Sequence, residues 1–351
     1  MLSIGIVGLP NVGKSTLFKA LTKKQVDISN YPFCTIEPNI GIVAVPDERL
    51  NKLAEVLRPG KKTSTVIEFV DIAGLVKNAH KGEGLGNQFL ARIRQTDAIL
   101  EVARAFEDSK IIHIEGRINP QEDIETIKIE LVMKDLESVH KYREELKDKA
   151  KSGDDKSIKL EELSRSLKDW LNQGNMAGQI PEPEKYQEIF SQLQLLTIKP
   201  VVYILNGGPS LEGIKILAAQ PGLKNIIQSD LKLEAEMSEL NPDEIAELSL
   251  SESALDQLIK ICYDVLNLIT FYTVAGLKEI RAWTVRKNTP IKEAAGKIHT
   301  DFQEKFIKAE VINWERLVNC GSWHDARDKG LLRTEGKEYI MQDGDVIEIK
   351  I

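Results

Sequence analysis

Cysteine is scarce in this 351-residue chain. Cys34, Cys262 and Cys320 are the only three, and they lie far apart. That excludes a disulfide framework and a cysteine-built metal centre, and it fits a reducing compartment. Excess positive charge is also missing: the formal net charge is −7. A protein that holds nucleic acid by bulk charge is thereby excluded, so any RNA contact needs a local basic face. The acidity is uneven. Residues 196–267 carry 5 basic and 11 acidic side chains, whereas the first 128 residues and the last 84 each sum to about +1. No stretch approaches the ~18 consecutive apolar residues that span a bilayer. Met1 to Leu9 reads as a short apolar strand without a basic leader or a cleavage site, so a cytoplasmic protein with no membrane association is expected. No internal repeat or low-complexity segment is present.

What is there is a strongly patterned α/β sequence. Hydrophobic residues make up 42%, enough for real cores, and the length predicts two to three domains. Leu2 to Gly8 reads as a buried strand running into a glycine turn, and Ser15 to Leu21 as a helix. Further strands are expected at 40–45, 65–70, 97–103, 200–205 and near 225–229. Near-continuous apolar strands alternating with helices predict a mainly parallel sheet covered on both faces. Residues 121–195 differ, being rich in Glu, Lys, Leu, Ser and Gln. They carry helical spacing over about 122–150 and 156–172, continuing over 184–195, with a turn at Lys151 to Asp155. An antiparallel helical hairpin projecting from the sheet is expected. From about 268 onward the pattern becomes short strands, one helix near 290–299, and a last alternating strand at Val346–Ile351.

Gly8-Leu9-Pro10-Asn11-Val12-Gly13-Lys14-Ser15, followed by Thr16, matches the GxxxxGK[ST] phosphate-binding pattern in the required strand-to-helix context. The glycines allow backbone N–H groups to turn inward around phosphates, and the helix presents its positive end to the anion. Lys14 neutralises phosphate charge, and the Ser15 hydroxyl suits Mg²⁺. Asn11, Val12, Gly13, Lys14, Ser15 and Thr16 are thus the candidate nucleotide-binding residues of this loop. Asp71-Ile72-Ala73-Gly74 closes a predicted strand, which places the Asp71 carboxylate to meet Mg²⁺ through water and the Gly74 N–H to sense a γ-phosphate. Thr35, in a loop between helix and strand, is a further candidate for Mg²⁺ and the γ-phosphate. Loss of that phosphate would release the loop, as in a nucleotide switch.

Together these segments resemble the YchF/Obg-like ATPase family, a branch of the Obg-related P-loop NTPases. The resemblance runs along nearly the whole chain. It is carried by GLPNVGKSTLF at 8–18, NYPFCTIEPN at 30–39, DIAGLVKNAHKGEGLGNQFL at 71–90 and EAEMSEL at 234–240. It continues through FYTVAGLKEIRAWTVRKNT at 271–289, AAGKIHTDFQEKFIKAEVI at 294–312 and EGKEYIMQDGDV at 335–346. The resemblance implies an OBG-type G domain over 1–128 and 196–267 and an inserted helical arm over 129–195. It also implies a TGS domain of ubiquitin-like β-grasp fold over 268–351, and association with the ribosome or its large subunit. A monomer is expected. Leu75 stands where translational GTPases place a water-orienting Gln, and leucine cannot position water. Hydrolysis must then be very slow or be helped from elsewhere. The family offers a loop histidine, which matches His113; His80 is a second candidate. The guanine-reading NKxD motif is replaced by Asn206-Gly207-Gly208-Pro209, which lacks even the acidic residue of the family's NxxE. That argues against strict GTP specificity and favours ATP, with relaxed specificity or an Obg-type GTPase in ribosome assembly as the alternatives. Asn206 is left either to bond the base or to stitch neighbouring loops, and Ser229–Leu233 to pack over the base. A metabolic kinase would need an arginine-rich acceptor lid, which is absent from the sequence. A binding module with a dead NTPase is at odds with intact Lys14, Ser15 and Asp71. Two basic stretches are candidate RNA or ribosome contacts: Lys278, Arg281, Trp283, Arg286 and Lys287, and the lysine-rich arm around Lys141–Lys159. For each, the plainer reading is a solvated surface.

Overall fold

The computed structural model describes residues 2–23, 37–72, 85–108, 117–150, 154–207, 225–240, 244, 253–275 and 278–351. Its first sheet has the order β2-β4-β1-β5-β6-β7, built from Ile40–Ala44, Val66–Asp71, Ser3–Val7, Ala98–Arg104, Val201–Asn206 and Ile226–Ser229. All neighbours are parallel except β2 with β4. Both faces are covered, which is why β1 and β5 are buried at every position and read as unbroken apolar runs. The core packs Ile4, Ile6, Val102 and Ile204 of the sheet against Leu17 and Leu21 of helix α1 (Lys14–Lys23), Ile93 of α3 (Leu85–Gln95) and Leu258 of the helix Ala254–Val265.

The chain leaves this sheet after β5 and returns at β6. Between them, α4 (Pro120–Ala150) and α5 (Asp155–Asn172) form the expected hairpin. Val139, Tyr142, Leu146, Leu160 and Leu167 build its own core, which continues into Ile189 and Phe190 of α6 (Gln187–Leu193). Asp154 caps α5 by accepting from the Ser157 N–H at 3.1 Å. Arg143 bridges to Glu161 across the two helices at 3.0 Å. The arm is fixed at its root by fully buried Asp135, whose oxygens accept from Leu196 N, Thr197 N and Thr197 Oγ1 at 2.7–2.8 Å. A carboxylate with three such bonds is tolerated in the interior, although burial still raises its pKa.

The second sheet, β11-β10-β12-β8-β9-β3, draws on both ends of the chain. Five strands come from the C-terminal part: Arg333–Glu335, Lys308–Asn313, Asp345–Lys350, Leu268–Ala275 and Glu279–Arg286. The sixth, β3 (Lys61–Thr63), lies between β2 and β4 in sequence and pairs in parallel with β9. Helix α2 (Glu48–Leu57), from the same connection, packs Leu50, Leu53 and Leu57 against Tyr272, Ile280 and Ala282 of this sheet. The helices Trp314–Cys320 and Trp323–Asp328 cover that face too, and Ile291–Ile298 covers the other. The C-terminal sequence pattern predicted only the last of these helices. The short ones have too few turns for helical spacing to be visible.

Glu101 is the one fully buried acid with an orphan atom among the described residues: its Oε1 has no hydrogen-bond partner. It sits on β5 opposite Tyr203, beside a small apolar cluster of Ala103, Ile124 and Leu205. Burial, then the nearby Asp123 and Glu125 carboxylates, push its pKa well up. A carboxyl with a raised folded pKa loses stability as pH climbs past its unfolded value. Glu101→Gln is therefore expected to raise stability by about 2 kcal/mol at pH 7 and to change little near pH 4. Urea denaturation at the two pH values checks this, and an equal gain at both would contradict the titration argument.

Candidate functional site

The turn after β1 runs from Gly8 to Gly13. Gly13 adopts φ +108°, a left-handed conformation open to glycine. A Cβ there would strike the Asn206 side-chain amide, and one on Gly8 would come within 2.5 Å of the Val102 carbonyl oxygen. Both glycines are thus needed for close approach as well as for the turn. Helix α1 begins at Lys14, and the Leu17 N–H closes onto the Gly13 carbonyl at 3.0 Å. The free N–H groups of its first turn face the loop, as an anion site requires.

Lys14 is only 8% exposed, and its Nζ donates to the Leu9 carbonyl at 2.7 Å, curling back over the loop. Burial lowers its pKa from the usual 10.5 to about 8, against an opposing pull from Asp71. Asp71 ends β4, in register with Ile6 just before the phosphate-binding turn. Its carboxyl is pushed up by burial and drawn down by Lys14. The two groups therefore face each other electrostatically across the start of the loop.

A cavity of about 600 Å³ opens over the loop and Lys14. Asn11, Gly13, Lys14, Ser15 and Thr16 of the phosphate loop line it, with Asn206, Asp230, Lys232 and Phe106–Asp108. Of the predicted residues, Val12 is wholly buried behind the loop, where its carbonyl accepts from Asn206 Nδ2 at 2.8 Å. Asn206 Oδ1 in turn accepts from Leu231 N at 3.1 Å, so this side chain stitches the phosphate loop to the segment after β7. Asp230 and Lys232 fall inside the Ser229–Leu233 segment, but their charges were not singled out by sequence, and Phe106–Asp108 were missed. All follow the carboxyl ends of β5 and β7, where open α/β sheets form their ligand crevice. Thr35, Gly74, Leu75, His80 and His113 lie outside the described residues.

The basic cluster near residue 280 is split by the strand's alternation. Arg281 lies over the Trp283 ring at 4.4 Å, while Arg286 turns to Asp97 of the first sheet at 3.6 Å. No helix among the described residues is long and apolar enough to cross a membrane.

A phosphate-binding loop closing β1 beneath a crevice, with a carboxylate at the end of the adjacent parallel strand, defines a P-loop nucleotide triphosphatase fold. A family model described as 50S ribosome-binding GTPase matches residues 3–145, and the YchF-type GTPase C-terminal family, described as a protein of unknown function, matches 268–351. The chain is 45% identical to the "Ribosome-binding ATPase YchF" of Bacillus subtilis, with 99% of each chain covered. It is also 45% identical to the protein of the same name in Mycoplasma genitalium, covering 100% of this chain and 99% of that one. The solved structure of the Schizosaccharomyces pombe YchF GTPase aligns with a TM-score of 0.85 at 36% identity, over 99% of this chain and 97% of that one. The chain belongs to the YchF family.

Proposed function

We propose that this protein is a ribosome-associated switch that binds ATP with Mg²⁺, in preference to GTP, and hydrolyses it slowly. The observation that carries the reading is the nearly buried Lys14, with a lowered pKa, lining a cavity together with Asn206, the first residue of an Asn-Gly-Gly-Pro sequence that lacks the acid of an NKxD motif. Relatives named ribosome-binding ATPases, alike over full length, support the nucleotide and the partner.

In this reading Asn11, Val12, Gly13, Ser15 and Thr16 offer backbone N–H groups to the phosphates, and Lys14 leaves the Leu9 carbonyl for the β- and γ-phosphate oxygens. Ser15, Thr35 and Asp71 hold Mg²⁺. The hydroxyl and carboxylate oxygens are the hard donors this ion takes; Ser15 lines the cavity beside Lys14, and Asp71 lies near enough to Lys14 for their charges to act on each other. When bound, Mg²⁺ neutralises charge shared between the phosphates. Gly74 senses the γ-phosphate, and Asn206 holds the base end in place. His113 orients the attacking water, because Leu75 offers no hydrogen bond to it. The division into an OBG-type G domain (1–128 and 196–267), a helical arm (129–195) and a TGS domain (268–351) belongs to the same proposal. So do a monomeric state and a cytoplasmic location.

The test is a pair of dissociation constants for ATP and GTP with Mg²⁺, measured on the nucleotide-free protein, together with cosedimentation with ribosomes. Tenfold tighter ATP and nucleotide-dependent cosedimentation are expected. Tighter GTP by the same margin would return the protein to the Obg-type GTPases.

A further inference from the structure

The cavity is lined by an acid beside the end of β6 that the Asn206-Gly207-Gly208-Pro209 segment does not supply. β6 and β7 end side by side, with Asn206 opposite Ser229 and the Gly207 N–H bonded to the Ser229 carbonyl at 3.0 Å. Asp230 is the next residue. It lines the same cavity as the phosphate loop, together with Lys232. We propose that Asp230 reads the purine by accepting a hydrogen bond from the exocyclic amine of adenine. This rests on the ATPase reading and names the residue that sets its base preference.

Three features of the site converge on this residue. Asn206 donates from Nδ2 to Val12 O and accepts at Oδ1 from Leu231 N, which leaves one amide hydrogen, a donor that suits a ring nitrogen and not an exocyclic amine. Asp230 is engaged at one end only. Its Oδ1 accepts from Lys232 N at 3.0 Å and Leu233 N at 3.2 Å, capping the helix Leu231–Met237. Oδ2 takes no hydrogen bond among the described residues, and the side chain is exposed to the cavity. The segment itself is held from behind by buried Glu234, which accepts from Ser253 Oγ at 2.7 Å and Ala254 N at 2.9 Å. A carboxylate fixed in this way is a preorganised acceptor.

The count of free lone pairs then selects the base. Guanine is read by a carboxylate through its adjacent N1–H and N2–H₂ groups, which need both oxygens side by side. One oxygen of Asp230 is already committed to the helix cap. Adenine offers a single exocyclic amine, and one free oxygen satisfies it. Guanine carries the O6 acceptor at the same ring position, and a carboxylate oxygen repels it. A site that hydrogen-bonds one substituent rejects the analogue lacking it far better than an apolar pocket could.

The test uses the full-length protein with Mg²⁺ and competition binding of ATP, GTP, purine riboside triphosphate (which lacks the 6-amine) and inorganic tripolyphosphate. Asp230→Asn keeps the cap, since asparagine is an equally good cap, but turns the free acceptor into a donor. Asp230→Ala removes both. The wild type is expected to bind ATP about tenfold more tightly than the purine analogue. Asp230→Ala should bring the two within about twofold. Asp230→Asn should weaken ATP about tenfold and strengthen GTP, with tripolyphosphate unchanged in both variants. An ATP advantage over the purine analogue that survives in both variants would overturn the role of Asp230 and leave the ATPase reading standing. Equal losses for every probe, tripolyphosphate included, would make Asp230 only a cap and overturn it as well. A wild type that prefers GTP would remove the ATPase reading first.

Discussion

Replacing Lys14 with methionine is expected to make the nucleotide-free protein about 2 kcal/mol more stable at pH 7 while weakening ATP binding at least about a hundredfold. The gain follows from burial. A lysine whose pKa falls from 10.5 to about 8 on folding gives up about 3 kcal/mol relative to an unperturbed one. Loss of the bond to the Leu9 carbonyl and of the pull on Asp71 returns about 1 kcal/mol of that. The sign fixes the pH window. A lysine with a depressed folded pKa binds its proton less tightly in the native state. Its cost is complete below pH 8 and disappears as pH rises from 8 to 10.5. The advantage of Lys14→Met in urea denaturation should therefore shrink over that interval. ATP binding has the matching dependence. Phosphate favours the charged lysine, so wild-type affinity should hold below pH 8 and fall above it by up to about tenfold per pH unit. A variant that lost affinity without gaining stability would mean that the buried ammonium is not under strain. The same strain explains why nucleotide binding should stabilise this fold more than its contacts alone suggest: the triphosphate supplies the charge that the ligand-free site lacks.

How much of this was legible in the sequence depends on how local the signal is. The phosphate loop could be read because a glycine-lysine-serine turn between a buried strand and a helix carries its whole mechanism within eight residues. The helical arm could be read because α4 and α5 are long enough for their spacing to show. Asn206 was left between two roles, and the geometry shows the stitching one, from Val12 O to Leu231 N, with a second amide hydrogen still available for a base. Asp230 was hidden as an ordinary polar residue in a turn. Its role depends on β6 and β7 ending together, which no local pattern encodes. β3 was illegible for a similar reason. Lys61-Lys62-Thr63 shows no apolar alternation, and its partner Glu279–Arg281 lies more than two hundred residues away. The polar surface of this strand fits an edge position, where lysines guard exposed backbone.

That edge strand leads to the second large effect: a fragment comprising residues 268–351 alone should fail to fold cooperatively. The C-terminal family match begins at residue 268, but the hydrophobic core beneath that sheet does not respect the boundary. Leu50, Leu53 and Leu57 of α2 cover Tyr272, Ile280, Ala282, Ile312 and Leu317. Three buried leucines contribute about 2 kcal/mol each, together comparable to the whole stability of a small domain. The polar contacts cross at the same place. Tyr272 donates to Asp47 at 2.5 Å, Arg49 pairs with Asp343 at 2.6 Å, and Thr63 donates to Glu279 at 2.6 Å. Thr65 meets Thr284 as well. The fragment would expose one apolar face of its sheet and leave β9 as a bare edge, a combination that favours aggregation over folding. In the intact chain, Leu53→Ala should cost about 3 kcal/mol. It should lower a single unfolding transition seen by both tryptophan fluorescence and far-ultraviolet circular dichroism, because residues 45–65 belong to both sheets' packing. A 268–351 fragment that melts cooperatively near the temperature of the full chain would show that α2 and β3 merely rest on a self-sufficient domain. A fragment beginning at 268 that folds only when a peptide spanning 45–65 is added would show that the connection between β2 and β4 completes the C-terminal core.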